Sequence, residues 1–278
     1  MLKNSIKMQW NVLWERRTAT IILALVTALM LVNFFSNVWI YQGRDVLDMY
    51  HPMKLLTLSS WSQYSYYLMQ YYPLLVVIPA GFALFADKQL NQYIFIQTRV
   101  GAKAYYWGKL VVVFLVTFLV FAGPFLLEII LNIIAFPINA VGDPANFGVY
   151  DANYLDQIDM QLFSNLYTKS QYAYALVFTL FFGLISGVLA IFTVAVSMFQ
   201  IRYRIFLFLP CYLLLHLLAY VNQLIPAITL ETNYFFYLVF YNHFRNATGS
   251  SIALVVITLS ICLVSILIFS VKMRKDAF

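Results

Sequence analysis

The chain has 278 residues, of which 63% are hydrophobic and only 10% charged, and its mean hydropathy is +0.81. Soluble domains carry about 25% charged residues, so a water-soluble fold is excluded. The net charge of +6 then bears on membrane orientation rather than on a nucleic-acid partner, and none is expected.

Met1 to Arg17 opens the chain. Leu2, Ile6, Trp10, Leu13 and Trp14 recur at near-helical spacing, with Lys3, Asn4, Lys7, Asn11 and Glu15 opposite. This pattern predicts an amphipathic helix over 1–17 lying in the membrane interface, with lysines toward anionic lipid. The first apolar run, 18–40, is long enough to span and lacks a small-residue cleavage pattern, so it reads as a span rather than a leader. A polar stretch with Arg44, Asp45, Asp48, His51 and Lys54 follows. Next comes an aromatic patch of Trp61, Tyr64, Tyr66, Tyr67, Tyr71 and Tyr72, the residue types that gather at the membrane–water boundary. A second span is expected over 66–85, kinked or unwound near Pro73 and Pro79.

Ala86 to Lys109 is a polar island between apolar walls. It holds Asp87, Lys88, Arg99, Lys103 and Lys109 around a short apolar segment, Tyr93 to Ile96. It is too short and too charged to cross a bilayer and reads as an amphipathic segment at its surface. A third span follows over 110–136, with a bend expected at Gly123-Pro124. An acidic stretch containing Asp143, Asp151, Asp156 and Asp159 separates it from a fourth span, 173–199. Arg202 and Arg204 make a short basic turn before a fifth span, 205–224. The aromatic, broken segment 225–250 suits short helices dipping into the outer leaflet. A sixth span, 251–271, ends in Lys272, Arg274 and Lys275.

The expected fold is therefore all-α and polytopic: one membrane domain over 1–278 with six transmembrane helices. Six spans put both termini on one side. That side collects all but Arg44, Lys54, Lys169 and Arg245 of the 17 lysines and arginines. The positive-inside rule places both termini and the polar island in the cytoplasm, in a cell membrane expected to be bacterial.

Motifs for chemistry within the chain are missing. There is no GxxxxGK[ST] phosphate loop, HExxH, GxSxG or CxxC, and Cys211 and Cys262 both lie inside apolar runs. No catalytic residue, bound cofactor or metal is expected. Glu128 is the one acid inside a span, a functional candidate because a charge there is expensive. The bland alternative is that it snorkels outward or bonds a local donor. His216 is a weaker intramembrane polar candidate. Gly183 and Gly187 form a GxxxG pattern that lets helices approach closely, for packing within the chain or for dimerisation. The acidic run Asp151 to Asp159 lacks the spacing of a calcium loop.

The stretch Leu84 to Val120 resembles the region between the second and third spans of type-2 ABC exporter permeases. In that family an acidic or polar turn ends one span. A helix follows, then an arginine, a small residue, a basic residue, an aromatic residue near a lysine, and the next span. Asp87, Arg99, Gly101, Lys103, Tyr105 or Tyr106, and Lys109 match that order, although Lys88 and Gln89 stand where glycine-rich sequence is common. The resemblance implies that the cytoplasmic segment is a coupling helix that docks on a separate ATPase subunit, through Asp87, Lys88, Tyr93, Arg99, Lys103, Tyr105 and Lys109. ATP and magnesium would be bound there, not in this chain. A second permease copy or a sister permease would complete the membrane part. The expected cargo is amphipathic or hydrophobic: a bacteriocin-like peptide, a drug or a lipid. An ATP-independent secondary transporter and a non-transporting immunity or sensing protein are the alternatives.

Overall fold

In the computed structural model the described residues are 2–46, 49–138, 140, 161–199, 201–224, 230–240, 242, 244 and 246–276. They form helices and connecting turns, and no strand longer than an isolated bridge occurs among them. The order is α1 (Leu2–Glu15), α2 (Thr18–Tyr41), α3 (Gln63–Leu75), α4 (Ala83–Gln89), α5 (Gln92–Val100), α6 (Ala102–Ala135), α7 (Ser164–Lys169), α8 (Gln171–Val196), α9 (Phe208–Leu224), α10 (Tyr234–Leu238) and α11 (Ala247–Asp276). Five stretches are long and apolar enough to cross a membrane: α2, α6, α8, Arg204–Val221 (most of α9) and Ala247–Met273 (most of α11).

The expected second span is not one helix. Residues 63–89 form α3 and α4 with hydrogen-bonded turns over 76–82 between them. Pro73 is accommodated inside α3. The break falls around Pro79, which has no N–H to continue a ladder and whose ring crowds the preceding turn. Pro124 leaves α6 uninterrupted over 34 residues, so the bend expected there does not break the helix. Pro210 sits in the first turn of α9, where a missing N–H costs nothing.

The 34-residue α6 is the central post. It packs most extensively on α8, and next on α2 and α1. Small residues make the antiparallel α6–α8 contact close. A Cβ on Gly183 would lie 2.7 Å from Ala122 Cβ, and one on Gly187 2.5 Å from the Phe114 ring. The GxxxG pattern is thus used within the chain. Tyr72 crosses from α3 to bond Ser186 Oγ at 2.9 Å, and its ring meets Phe121 and Phe182. Outward faces of the long helices stay apolar: Ile21, Val32 and Phe35 on α2, and Ile252, Leu259 and Leu263 on α11, are exposed. Such continuous faces suit hydrocarbon, because each helix satisfies its own backbone groups.

Contacts gather the connections at two ends. One end brings together α1, α4, α5, Met198, Arg204 and Lys272: Lys88 Nζ donates to Met198 O, Arg204 lies over Phe82, and Lys272 lies over Phe199. The other gathers residues 49–62, α7, α10 and the start of α11. There Phe240 N donates to Leu58 O at 2.8 Å and Ser60 N to Phe240 O at 3.1 Å. The segment 63–89 runs from the second end to the first.

Two readings gain detail. Ser5, Gln9 and Leu13 are the buried residues of α1, and Ile6, Trp10 and Trp14 are partly buried against the same core. Gly108 permits this: a Cβ there would stand 2.6 Å from Ser5 Oγ. Gln9 Nε2 then donates to Tyr105 O at 2.8 Å. The stretch after α2, read as polar, contains a buried strip. Met53, Leu56, Thr57, Leu58 and Ser59 are almost fully covered by the surrounding helices. Asp143, Asp151, Asp156 and Asp159 lie outside the described residues, as do Asp48, His243 and Arg245.

Candidate functional site

At the first end, a buried charge cluster lies beneath an exposed helix. Asp87 is almost fully covered, on the last turn of α4. Its Oδ1 receives Arg16 Nη2 at 2.6 Å, and its Oδ2 receives Lys109 Nζ at 2.7 Å and the Tyr105 hydroxyl. Arg16 also donates to Ala83 O at 3.2 Å. Lys109 is as buried as Asp87, while Arg16 keeps an opening to solvent. Burial alone pushes the Asp87 carboxyl upward. The charge and hydrogen bond of Lys109, the Tyr105 hydrogen bond and the charge of Arg16 together outweigh it, leaving the group below its ordinary value. The cluster ties the end of α1, α4 and the start of α6 into one unit.

Above it, α5 is set apart. None of its residues is fully buried. Left-handed backbone turns it in at Asn91 (φ 52°), and positive φ at Gly101 (φ 85°) turns it out. Tyr93 and Ile96 rest against the bundle, while Leu90, Ile94 and Phe95 point outward, Phe95 at 71% exposure. Arg99, on the last turn of α5, and Lys103, just past Gly101, are exposed as well.

The residues expected to dock a partner therefore divide. Arg99, Lys103 and part of Tyr93 are available at the surface, and Lys88 is half-buried against Met198. Asp87, Tyr105 and Lys109 are not available: they face one another in the interior. Their role is to hold the platform from which α5 projects. Arg16, counted in the sequence only as an orienting charge, completes that platform. Its distance in sequence from Asp87 gave no signal of the pairing.

The two intramembrane candidates also separate. Glu128 is fully buried on α6, so it does not snorkel. Its Oε1 accepts from Asn33 Nδ2 (2.9 Å), Thr57 N (2.8 Å) and Thr57 Oγ1 (2.7 Å). Asn33 further donates to Leu55 O and accepts from Ser62 Oγ, and Asn37 donates to Leu55 O. One turn on, Asn132 Nδ2 donates to Pro52 O at 3.2 Å. This polar seam is what seats residues 52–62 against α2 and α6. The i, i+4 spacing of Glu128 and Asn132 was a readable signal for it. His51 begins the strip: its Nδ1 accepts from Met53 N at 3.2 Å and its ring meets Tyr172. Burial, then the nearby Lys54 charge, lower its pKa to about 4.

His216 is elsewhere. Its ring stacks on Tyr212 at 3.9 Å, Nδ1 lies 3.0 Å from Tyr212 O, and its other aromatic neighbour is Tyr234. It lines a cleft of about 430 Å³ with Tyr66, Gln70, Tyr220 and Asn233. A second cleft, of about 630 Å³ and almost wholly apolar, lies beside the α3–α4 break and is lined by Leu74, Ile78, Ile205, Phe206, Phe208 and Leu209. No group of three or more potential metal ligands occurs among the described residues. No protein family, curated protein or solved structure matches this chain.

Proposed function

We propose that this chain is the membrane permease subunit of an ATP-driven type-2 ABC exporter. The observation that carries the reading is α5, a short amphipathic helix with outward Ile94 and Phe95, exposed Arg99 and Lys103, and a buried ion-pair platform beneath it. An apolar knob ringed by cations is suited to a groove on a separate ATPase subunit. The platform would carry movement from α5 into α6 and α1. ATP and magnesium belong to that partner.

On this reading residues 66–85 make a sixth crossing through the broken α3–α4 segment. The termini and α5 are cytoplasmic, and the protein resides in the plasma membrane of a bacterium. A second copy or a sister permease joins it. The apolar cleft at the break suits an amphipathic or hydrophobic cargo such as a peptide, drug or lipid, since ligand pockets are mostly apolar with volumes of about 300–1,000 Å³.

The test is the double variant R99E/K103E, made in the natively expressed protein. The expected result is normal membrane insertion, loss of ATPase co-purification and loss of export. Unchanged export and unchanged co-purification would make α5 a lipid-facing helix and overturn the proposal. The cargo assay needs no prior identity: resistance of cells to hydrophobic peptides and dyes, compared with and without the chain, reads it.

A further inference from the structure

The seam around Glu128 contains an imbalance that its hydrogen bonds define. Oε1 takes three donors, whereas Oε2 is buried with no partner. Four residues on along the same helix face, Asn132 Oδ1 is also buried with no partner. Both orphans are acceptors. Side chains at i, i+4 have Cβ atoms about 5–6 Å apart, within reach of each other.

Reorienting the amide does not remove the difficulty. Asn132 Nδ2 donates to Pro52 O, and turning it round would set two carbonyl oxygens against each other. Asn33 is committed as well: its Nδ2 serves Leu55 O and Glu128 Oε1, and its Oδ1 receives Ser62 Oγ.

Among the described residues, neighbouring elements supply no cation to Glu128. Neither α3 nor α8 contains Lys, Arg, His, Asp or Glu, and their titratable groups are tyrosines. At this level α2 brings the amides Asn33 and Asn37, with Tyr41 beyond them. On α6 the lysines, Lys103 and Lys109, sit at the opposite end, Lys109 about 28 Å away along the axis at 1.5 Å per residue. The covering strip contributes His51, which caps Met53 N and meets Tyr172, and Lys54, whose ammonium lies over Tyr50 and Trp61. Arg44 and Asp45 precede the strip and are exposed.

The three donors at Oε1 favour a carboxylate, whereas burial without a counter-charge and the bare Oε2 favour the acid, so Oε2 decides between them. A single hydrogen there satisfies both orphans, with Oε2 as donor and Asn132 Oδ1 as acceptor. A carboxylate would leave two bare acceptors and an unpaired charge in a low-dielectric interior, the costlier arrangement.

We propose that Glu128 is a proton-binding site: it holds one proton on Oε2, shared with Asn132 Oδ1, and this proton seals the strip 52–62 onto α2 and α6. The site goes beyond the docking reading of α5 and does not depend on it. Removal of the proton sets the carboxylate charge against Asn132 Oδ1 and loosens the strip. The seal is therefore lost on alkalinisation, while acidification acts on His51 instead.

The experiment uses the full chain in lipid nanodiscs. Infrared difference spectra of wild type minus E128Q at neutral pH are expected to contain a carboxylic-acid C=O band that shifts in D₂O. Glutamine reproduces the donor, so E128Q is expected to melt at or above the wild-type temperature and to lose the alkaline decline that wild type shows. E128A is expected to melt several degrees lower at every pH. An absent acid band, or E128Q melting as low as E128A, overturns the proposal. Repeating the melts in sodium and in N-methylglucamine separates a metal occupant: a sodium-dependent melt with no acid band would give the site to the cation and overturn the proton.

Discussion

Replacing Asp87 with asparagine removes the charge that faces Arg16 and Lys109 while keeping the shape. Lys109 is then left almost fully buried without a counter-charge, a defect that costs about 3–5 kcal/mol when one partner of a buried pair is removed. Acid should erase the difference. The folded Asp87 titrates below its unfolded value, which lies near 3.8, so its contribution is complete above that value and is lost as pH falls through the folded one. D87N should therefore melt well below wild type at neutral pH, with the gap closing only under strongly acidic conditions. A constant gap across the whole range would remove the ion pair as its cause. At this scale the sequence was informative about kind and silent about partners. Asp87, Lys109 and Glu128 stood out as ionisable groups beside or inside apolar runs. That Arg16 meets Asp87, and that Thr57 and Asn33 meet Glu128, depends on contacts between distant segments that no local pattern records.

Among the elements, the α6–α8 contact is the tightest. An added methyl at Gly187 would meet the Phe114 ring at 2.5 Å, and helix pairs in a bilayer are held by close packing rather than by exclusion of water. G187A should cost about 1–3 kcal/mol, the usual range for overpacking, read as a lowered melting temperature of the purified protein. An unchanged melt would mean that the ring swings aside freely. Helix existence was legible here because composition and length set it: α2, α8, α9 and α11 each fall within a few residues of an apolar run, while α6 starts further back, at Ala102 inside the polar island. The fate of 63–89 was not. Its apolar content meets the demand for a span, but Pro79 withholds a donor and only the neighbours in three dimensions fix where the ladder stops. The reading of α1 had the right period but gave no sign that polar Ser5 and Gln9 are buried, because the space that Gly108 opens for them is invisible to a hydrophobicity pattern.

For the whole molecule, the two ends collect connections that differ in charge, and the proposed orientation can be read directly. A single cysteine at exposed Arg44 should react with a membrane-impermeant thiol reagent in intact cells. One at exposed Thr98 should react only after permeabilisation. The native Cys211 and Cys262 lie in helices with apolar surroundings and form a low background. Reaction in intact cells at Thr98 alone would reverse the six-crossing arrangement, and reaction at both positions would dismantle it. The all-helical, membrane-spanning class was readable from sequence because it follows from transfer energies and the length of the apolar runs. The buried strip 52–62 was not, because its lysine and histidine mark it as aqueous while its cover comes from α2, α6, α8 and the Phe240 backbone beyond α10.

The corners at Asn91 and Gly101 have a mechanical consequence. Positive φ at both ends interrupts the helical ladder, so the nine residues of α5 are a rigid bar with a hinge pin at each end, not an extension of α4 or α6. A push on that bar is not delivered along a continuous backbone rod. It arrives as torque on the side-chain contacts of Tyr93 and Ile96 with the bundle. Displacing either pin, for example with a β-branched residue at Gly101 that cannot hold its positive φ, would change the angle of the bar without touching its outward face.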